Sequence, residues 1–304
     1  PAKVFREASQ WLFENQDADK IFMVVDSFDP HEPWDPPKYY RKMYDADDEV
    51  PDLVQSPYFY WDQCVSEREL KRLQANYAGE VSLCDRWFGH FMESLKVTGR
   101  WEDSIVAIIS DHGHNLGYDP GDKGLVCKQG YPLTRGVADL VLMVHHPSGQ
   151  GSGMTCEKLV QNFDLTATLL DFVDVQPNES MEGINFWPAV LDESKDIRNH
   201  TTTAWGSVFT VINDNWWYNA TLWGEQPLLF SLKNDPKLTV NLAQEHPDIC
   251  KQMLDLAHKD AKGEIPDYLK GYLDRPGAYS PLGWSAGPFK GGAFSAFWKD
   301  KPET

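Results

Sequence analysis

The residues best suited to chemistry are an aspartate and a histidine that follow a short apolar run. The segment Ser104–Gly113 reads SIVAIISDHG, and its β-branched residues predict a strand buried on both faces, as in a parallel sheet. In open α/β sheets, ligands bind outside the carboxyl ends of the strands, where Asp111 and His112 would lie. Carboxylate and imidazole are both metal-ligand groups, so this strand end is a candidate functional site.

A second predicted strand also ends in polar residues. The apolar stretch Ile21–Phe28 predicts a strand, and Asp29, Pro30 and His31 follow it directly. The prolines between residues 30 and 37 predict a long irregular loop, and loops of this length commonly line binding sites. The sequence therefore places a second group of candidate residues, with His31 among them, at a strand end.

The remaining periodicity indicates which elements position these residues. An apolar stripe from Leu70 to Leu95 predicts a long helix that ends at Gly99. A third apolar strand is predicted at Asp139–His145, and a helix at about residues 156–173. Because strands and helices alternate, the sequence predicts an α/β fold with a mostly parallel sheet flanked by helices.

The pattern changes after Thr201. Short β-prone runs separated by Gly, Asn and Asp predict a small antiparallel sheet, followed by a helix from Gln244 to about Lys262. The tail beyond Asp274 is rich in Gly, Pro and aromatic residues and shows no periodicity. We therefore expect a smaller α+β unit and then an irregular tail.

Composition excludes two classes of partner. The 304 residues carry a formal net charge of −18, which argues against binding to nucleic acid or to an anionic membrane surface. No stretch approaches the roughly 18 to 20 consecutive apolar residues of a membrane span. The five cysteines show no CxxC spacing, so no zinc ribbon or disulfide framework is indicated. The compartment remains open.

Six segments, in order, resemble one known family. They are DPHEPW at residues 29–34, YAGEVSLCDRWFG at 77–89, SDHG at 110–113, a lysine shortly afterwards, FDLTATLLDFV at 163–173, and LFSLKNDPKLTVNLA at 229–243. Together they resemble the C-terminal half of a sulfatase of the alkaline phosphatase superfamily. The resemblance implies a partial alkaline-phosphatase-like core in residues 1–198, a small sheet-plus-helix subdomain in 199–265, and an irregular tail in 266–304.

The resemblance implies a metal site at the first strand end. Asp111 would bind one divalent cation, and His112 would be a neighbouring ligand where many relatives have asparagine. An all-oxygen ligand set suits calcium, whereas an imidazole shifts the preference toward manganese or another transition ion. Calcium and manganese are therefore both expected candidates.

The resemblance also implies catalytic groups. His31 matches the family histidine that reaches the leaving oxygen, which suits a general acid near neutral pH. Lys128 matches the lysine that holds a non-bridging sulfate oxygen. Lys123 and His114 lie in the same glycine-rich loop and are secondary candidates for substrate binding.

The family's nucleophile motif is missing from this sequence. No CxPxR or SxPxR motif occurs, and neither does the paired Asp-Asp that closes the family's first strand. We therefore expect a fragment of a longer sulfatase, with the formylglycine in the missing N-terminal half. Two protein ligands leave a hard cation under-coordinated, so we expect weak or absent metal binding by this chain alone. An incomplete sheet predicts self-association.

Three functions are compatible with these residues. The first is metal-assisted hydrolysis of a small-molecule or carbohydrate sulfate monoester, as in arylsulfatases, with the activity of this chain alone left open. The second is hydrolysis of phosphonate monoesters or phosphodiesters, which the Asp-His pair also fits. The third is a non-catalytic relative that kept the fold and lost the chemistry.

Overall fold

The protein divides into two compact units. A computed structural model describes residues 1–117, 121, 124–128, 132–205 and 208–265. The first unit comprises Pro1–Lys128 and Leu140–Met154, and the second comprises Gln129–Asp139 and the chain from Thr155 onwards. The domain boundaries expected at residues 198 and 265 stay a prediction.

The helices and strands alternate irregularly along the chain. The helices are α1 (Ala2–Glu14), α2 (Lys38–Arg41), α3 (Glu67–Val97), α4 (Arg135–Ala138), α5 (Asp164–Phe172), α6 (Trp187–Leu191) and α7 (Pro247–Asp260), with short 3₁₀ turns at Trp61–Gln63 and Arg100–Glu102. The strands are β1 (Phe59–Tyr60), β2 (Val106–Ile109), β3 (Asn115–Leu116), β4 (Leu125–Cys127), β5 (Leu142–His145), β6 (His200–Trp205), β7 (Val208–Asn213), β8 (Trp216–Thr221) and β9 (Leu228–Ser231). In the described part of the chain, no helix is both long enough and apolar enough to cross a bilayer.

Helix α3 confirms the long helix expected from the apolar stripe. A capping box begins it: the Ser66 hydroxyl accepts a hydrogen bond from the Glu69 amide, and the Glu69 carboxylate accepts one from the Ser66 amide at 2.7 Å. Gly99 follows its end with φ of 74°, a left-handed conformation that glycine adopts without strain. The helix forms the central support of the first unit.

Helix α1 packs against α3 through a small apolar core. Phe5 and Leu12 of α1 meet Phe91 and Leu95 of α3, and all four side chains are buried. Burying a large apolar side chain contributes about 1.5–3 kcal/mol, so this contact fixes the position of the first helix.

The segment Ile21–Phe28 forms neither a helix nor a strand of any sheet among the described residues. Its odd-numbered apolar residues pack against the core formed by α1 and α3, whereas Phe22, Val24 and Phe28 are exposed. The segment thus has the alternating burial expected of a strand, but it pairs with no strand among the described residues, so the expectation that it lies in the sheet is wrong for them.

The expectation of a mostly parallel sheet is also wrong for the described strands, since every pairing among them is antiparallel. Strands β2 and β5 are the two apolar runs expected to be parallel. They run in opposite directions, with Val106 opposite His145 and Ile109 opposite Leu142. Ile109 and Met143 are exposed, so the pair is not buried on both faces. Apolar content predicted the strands, but pairing direction depends on the path of the connection between them.

A small antiparallel sheet of order β1-β4-β3 lies in the same unit. Its strand β4 ends at Cys127, next to Lys128, and Val126 packs with Trp34, Leu70 and Leu73 in a buried cluster. The sheet thus connects the proline-rich loop, helix α3 and the glycine-rich loop.

The second unit confirms the predicted C-terminal antiparallel sheet and helix. Strands β6 to β9 pair in sequence order, and Val211, Tyr218 and Leu229 form a core with Met253 of α7. The four-stranded sheet and the helix are the elements that the family resemblance implied.

A network of arginines and aspartates attaches the loop at residues 45–52 to helix α3. Arg72 is buried and donates to the Asp45 carboxylate at 2.8 Å, and Arg68 binds both oxygens of the same carboxylate at 2.9 Å. Burial alone would raise the pKa of Asp45, but the hydrogen bonds from Arg68 and Arg72 outweigh it and lower the pKa to about 2.

We expect Asp45→Asn to destabilise the protein in a pH-dependent way. A carboxylate whose pKa is lowered on folding contributes stability that is present above its unfolded value of 3.8 and is lost as the pH falls toward about 2. After allowance for solvent screening, the contribution is about 1 kcal/mol at pH 7. Urea denaturation of wild type and variant between pH 7 and pH 2.5 measures it, with the exposed Asp255→Asn as control. A difference between wild type and variant that grows as the pH falls would contradict the sign.

Candidate active site

The loop that carries His31 is anchored by a fully buried tryptophan. Trp34 packs in the core of the first unit, and its indole N–H donates to the Pro30 carbonyl at 3.0 Å. The His31 amide donates to the Phe28 carbonyl at 3.0 Å. The imidazole ring of His31 stacks on the phenyl ring of Phe28, with centroids 4.2 Å apart. The position of the imidazole is therefore set by the buried end of the loop.

The ring of His31 has a defined hydrogen-bonding direction. Its Nδ1 lies 2.6 Å from the Glu32 carbonyl oxygen, which can only accept a hydrogen bond. Nδ1 therefore carries the proton in the neutral ring, and Nε2 presents a lone pair. When His31 acts as a general acid, Nε2 is the atom that would carry the transferred proton and face the leaving group.

Lys128 meets this nitrogen. The Lys128 ammonium donates a hydrogen bond to Nε2 of His31, although the two residues lie 97 positions apart in the sequence. Lys128 follows strand β4, and its side chain is largely buried. The structure thus brings together the two residues that the sequence assigned to catalysis.

Glu32, which the sequence analysis did not single out, lies against both of them. Its side chain is 6% exposed, and its Oε2 lies 3.4 Å from the Lys128 ammonium and 3.4 Å from Nδ1 of His31. The Tyr58 hydroxyl donates to the other carboxylate oxygen. Its residue type and its proline-rich flanks do not distinguish Glu32 from a solvated loop carboxylate in the sequence.

Asp111 and His112 follow strand β2, as predicted from the apolar run. The Asp111 carboxylate is 87% exposed, and its only hydrogen bond among the described residues is accepted from the His112 amide at 2.8 Å. Nδ1 of His112 lies 2.8 Å from the Gly113 carbonyl, so Nε2 presents its lone pair in the neutral ring. That Nε2 lies 3.6 Å from Asp111 Oδ2. Two electron-pair donors facing each other at this distance suit a shared cation.

The described residues contain no cluster of three or more His, Cys, Asp or Glu side chains able to hold a metal. A carboxylate and one imidazole therefore supply fewer than half of the roughly six to eight ligands that calcium takes. The donor set fits a divalent cation in kind but not in number.

His114 is the third histidine of this region. Burial lowers the pKa of His114 to about 4, against the opposing effects of the Asn115 carbonyl and the Glu32 carboxylate. The ring is neutral at pH 7, with Nδ1 at 2.7 Å from the Asn115 carbonyl and edge-to-face contacts to Trp34 and Tyr58. Its buried Nε2 has no hydrogen-bond partner among the described residues.

Lys123, the other secondary candidate for substrate binding, lies outside the described residues. Three of the remaining five candidates lie in one cluster with Glu32 and Tyr58: His31, Lys128 and His114. His112 is close enough to His114 to contribute to the lowering of its pKa. The roles of all six residues stay predictions.

The sequence matches the Sulfatase family over residues 1–175, more than half of the chain. It is 25% identical over 294 residues to an arylsulfatase of Clostridium perfringens, covering 89% of this chain and 59% of that protein. It is also 25% identical over 303 residues to the multifunctional alkaline phosphatase superfamily protein PehA of Trinickia caryophylli, covering 84% and 57%. The chain therefore spans less than two thirds of the length of these relatives.

Solved structures show the same fold. The complex of BT4656 with its substrate D-glucosamine-2-N,6-O-disulfate superposes with a TM-score of 0.68 at 14% identity, covering 87% of this chain and 71% of that one. The phosphonate monoester hydrolase of Agrobacterium radiobacter gives the same TM-score of 0.68 at 19% identity, covering 88% and 61%. The fold is thus the alkaline-phosphatase-like α/β fold, and by its sequence match the chain belongs to the sulfatase family.

Proposed function

We propose that this chain supplies the general acid, the anion-binding lysine and part of the metal site of a sulfuric ester hydrolase. The observation that carries the proposal is the contact between the Lys128 ammonium and Nε2 of His31. A fixed cation beside a proton-transfer group is what cleavage of an anionic ester requires. The sulfatase family match favours sulfate over other anions.

Lys128 and His31 would act in succession on the bound ester. Lys128 binds a non-bridging oxygen of the ester and neutralises charge that builds up during cleavage. Once the ammonium turns to the ester, Nε2 of His31 is released from it. Nε2 then takes up a proton from solvent, which makes the ring an imidazolium, and donates that proton to the departing alcohol oxygen, while Nδ1 keeps its own proton and its hydrogen bond to the Glu32 carbonyl.

Asp111 and His112 would hold a divalent cation, with calcium and manganese as the candidates. Such a cation, when bound, polarises the sulfate oxygens and stabilises negative charge. The carboxylate and the imidazole supply two ligands, so further ligands must come from elsewhere in the enzyme.

The residues present do not fit a formylglycine. None of the five cysteines begins a CxPxR motif, and Cys64, Cys127 and Cys250 are buried. The proposal therefore requires a nucleophile from polypeptide outside these 304 residues, and we derive no step through it.

Hydrolysis of a phosphonate monoester or phosphodiester is the second candidate. The Asp111–His112 pair suits it, and the phosphonate monoester hydrolase superposes as well as the complex with a sulfated sugar does. We place it second because the sequence match is to the Sulfatase family. The substrate class that we propose is a sulfate ester of a carbohydrate or small molecule.

We also propose that the chain self-associates. Exposed apolar side chains such as Phe22 and Val24 favour it.

The experiment compares wild type and His31→Ala in the enzyme with its nucleophile in place, using aryl sulfates of increasing leaving-group pKa. Loss of a general acid lowers kcat by about 10²- to 10⁴-fold, and the loss grows as the leaving group becomes more basic. We expect aryl sulfates to be cleaved faster than aryl phosphonates. Equal loss across all leaving groups would remove His31 from the proton-transfer step, and a preference for phosphonates would favour the second candidate.

A further inference from the structure

The carboxylate of Glu32 lies beside both His31 and Lys128. The Glu32 side chain is buried and faces the Lys128 ammonium, the proposed substrate-binding group, rather than solvent. Among the described residues, its side-chain contacts are with Lys128, Tyr58 and the ring of His31. A buried carboxylate is retained against its desolvation cost only when such partners compensate for it.

We infer that Glu32 is a specificity-determining residue: it positions the Lys128 ammonium beside His31 and, as a fixed counter-charge, favours monoanionic esters over dianionic ones. The inference rests on the proposed function and adds to it a rule for substrate charge. A sulfate monoester carries one negative charge, whereas a phosphate monoester carries close to two above pH 7.

The charge balance of the cluster supports this assignment. Lys128 contributes one positive charge and Glu32 cancels it at 3.4 Å. The Lys128–Glu32 pair therefore has no net charge, but its ammonium can still donate hydrogen bonds to an anion. A second negative charge on the ester would be repelled by the buried Glu32 carboxylate.

The geometry of Tyr58 indicates that the carboxylate is held in place. Its hydroxyl donates to the Glu32 oxygen that faces away from Lys128, so both carboxylate oxygens are occupied. Tyr58 has a φ of 55°, a left-handed conformation that is unfavourable for a bulky side chain. Such strain is concentrated at functional sites, where the surrounding structure enforces it.

The test measures binding of two matched anions to the 304-residue chain. Phenyl sulfate is the monoanion and phenyl phosphate at pH 8 is the dianion, and NMR titration gives both dissociation constants. Glu32→Gln keeps the shape and the hydrogen bond from Tyr58 but removes the charge. We expect Glu32→Gln to shift the ratio of the two dissociation constants by about tenfold in favour of phenyl phosphate. The reason is that the Glu32 carboxylate repels a dianion about twice as strongly as a monoanion, so its removal favours the dianion more. The exposed Glu93→Gln is the control and should leave the ratio unchanged.

A double variant separates charge from structure. Glu32→Gln/Lys128→Met removes both charges, so both anions should bind more weakly while their ratio returns to within twofold of wild type. This variant leaves no unpaired buried charge, so it also serves if Glu32→Gln alone fails to fold. A ratio in the double variant that differs from wild type by more than about fivefold would overturn the charge argument.

A second readout tests the positioning of Lys128 without any ligand. The ¹⁵N chemical shift of His31 Nε2 should change in Glu32→Gln, because the ammonium loses the carboxylate that holds it, and should not change in Glu93→Gln. An unchanged shift would overturn the positioning role. If wild type binds phenyl sulfate but the ratio does not move in Glu32→Gln, only this inference fails. The proposed function is tested separately, by the dependence of the His31→Ala loss on the leaving group, so the two failures are distinguishable.

Discussion

Asp111→Ala in the enzyme with its nucleophile in place is expected to lower turnover of an aryl sulfate by at least about a thousandfold. A bound cation supplies several kcal/mol of charge stabilisation in the transition state, and each 1.4 kcal/mol corresponds to about tenfold in rate. The Asp111 side chain is 87% exposed and contacts little besides its neighbour, so its removal should not disturb the fold. Steady-state kinetics with added calcium or manganese provides the measurement.

Asp103→Ala provides a matched control for this variant. Asp103 precedes the same strand and is exposed, and its carboxylate contacts Arg100 and the Ser104 hydroxyl at the surface. Its loss should therefore leave turnover within about twofold of wild type. Thermal unfolding of both variants checks that the fold is retained. If Asp111→Ala keeps most of its turnover, Asp111 does not bind the catalytic metal. Partial rescue by raised metal concentration would identify a weakened site.

Asp164→Ala is expected to destabilise the protein by about 3–5 kcal/mol. Asp164 is fully buried at the start of α5, where its two oxygens bind the Arg198 guanidinium and accept hydrogen bonds from the amides of Gln161 and Ile184 at 2.7 and 2.8 Å. Removing the carboxylate leaves a largely buried guanidinium and two amides without partners, which is one of the most destabilising changes in a core. Urea denaturation measures the free energy of unfolding.

Two further variants identify the cause of this loss. Asp171→Ala, on the same helix, removes an exposed carboxylate bonded to Asn185 and should cost about 1 kcal/mol or less. Asp164→Ala/Arg198→Met removes both charges and should recover part of the stability lost in the single variant. A double variant less stable than Asp164→Ala would show that the unpaired guanidinium is not the main penalty.

The sequence predicted well those elements whose signal is local. The stripe from Leu70 to Leu95 gave helix α3 because apolar spacing and a capping box at Ser66 act within one helix. The antiparallel sheet after residue 200 was predicted from short β-prone runs joined by turns, since such runs pair with their immediate neighbours. In both cases, the determining contacts are local in sequence, either within one helix or between consecutive strands.

Features that depend on distant parts of the chain were not predicted. Strands β2 and β5 were recognised, but their antiparallel pairing depends on a connection of more than thirty residues that carries no periodic signal. The role of Glu32 was missed for the same reason, because an acidic residue in a proline-rich loop reads as solvated until Lys128 and Tyr58 are seen to cover it. Side-chain burial of this kind follows from tertiary contacts alone.

The alternating burial of Ile21–Phe28 has a consequence for how a neighbouring strand would join the first unit. Its inward side chains are already seated on the core of α1 and α3, while its main-chain amides and carbonyls form no ladder with the described residues. Main-chain groups outside any ladder are available for hydrogen bonding to another strand. An incoming strand would therefore meet a surface that needs no repacking before pairing, and Phe22, Val24 and Phe28 would be covered in the same step.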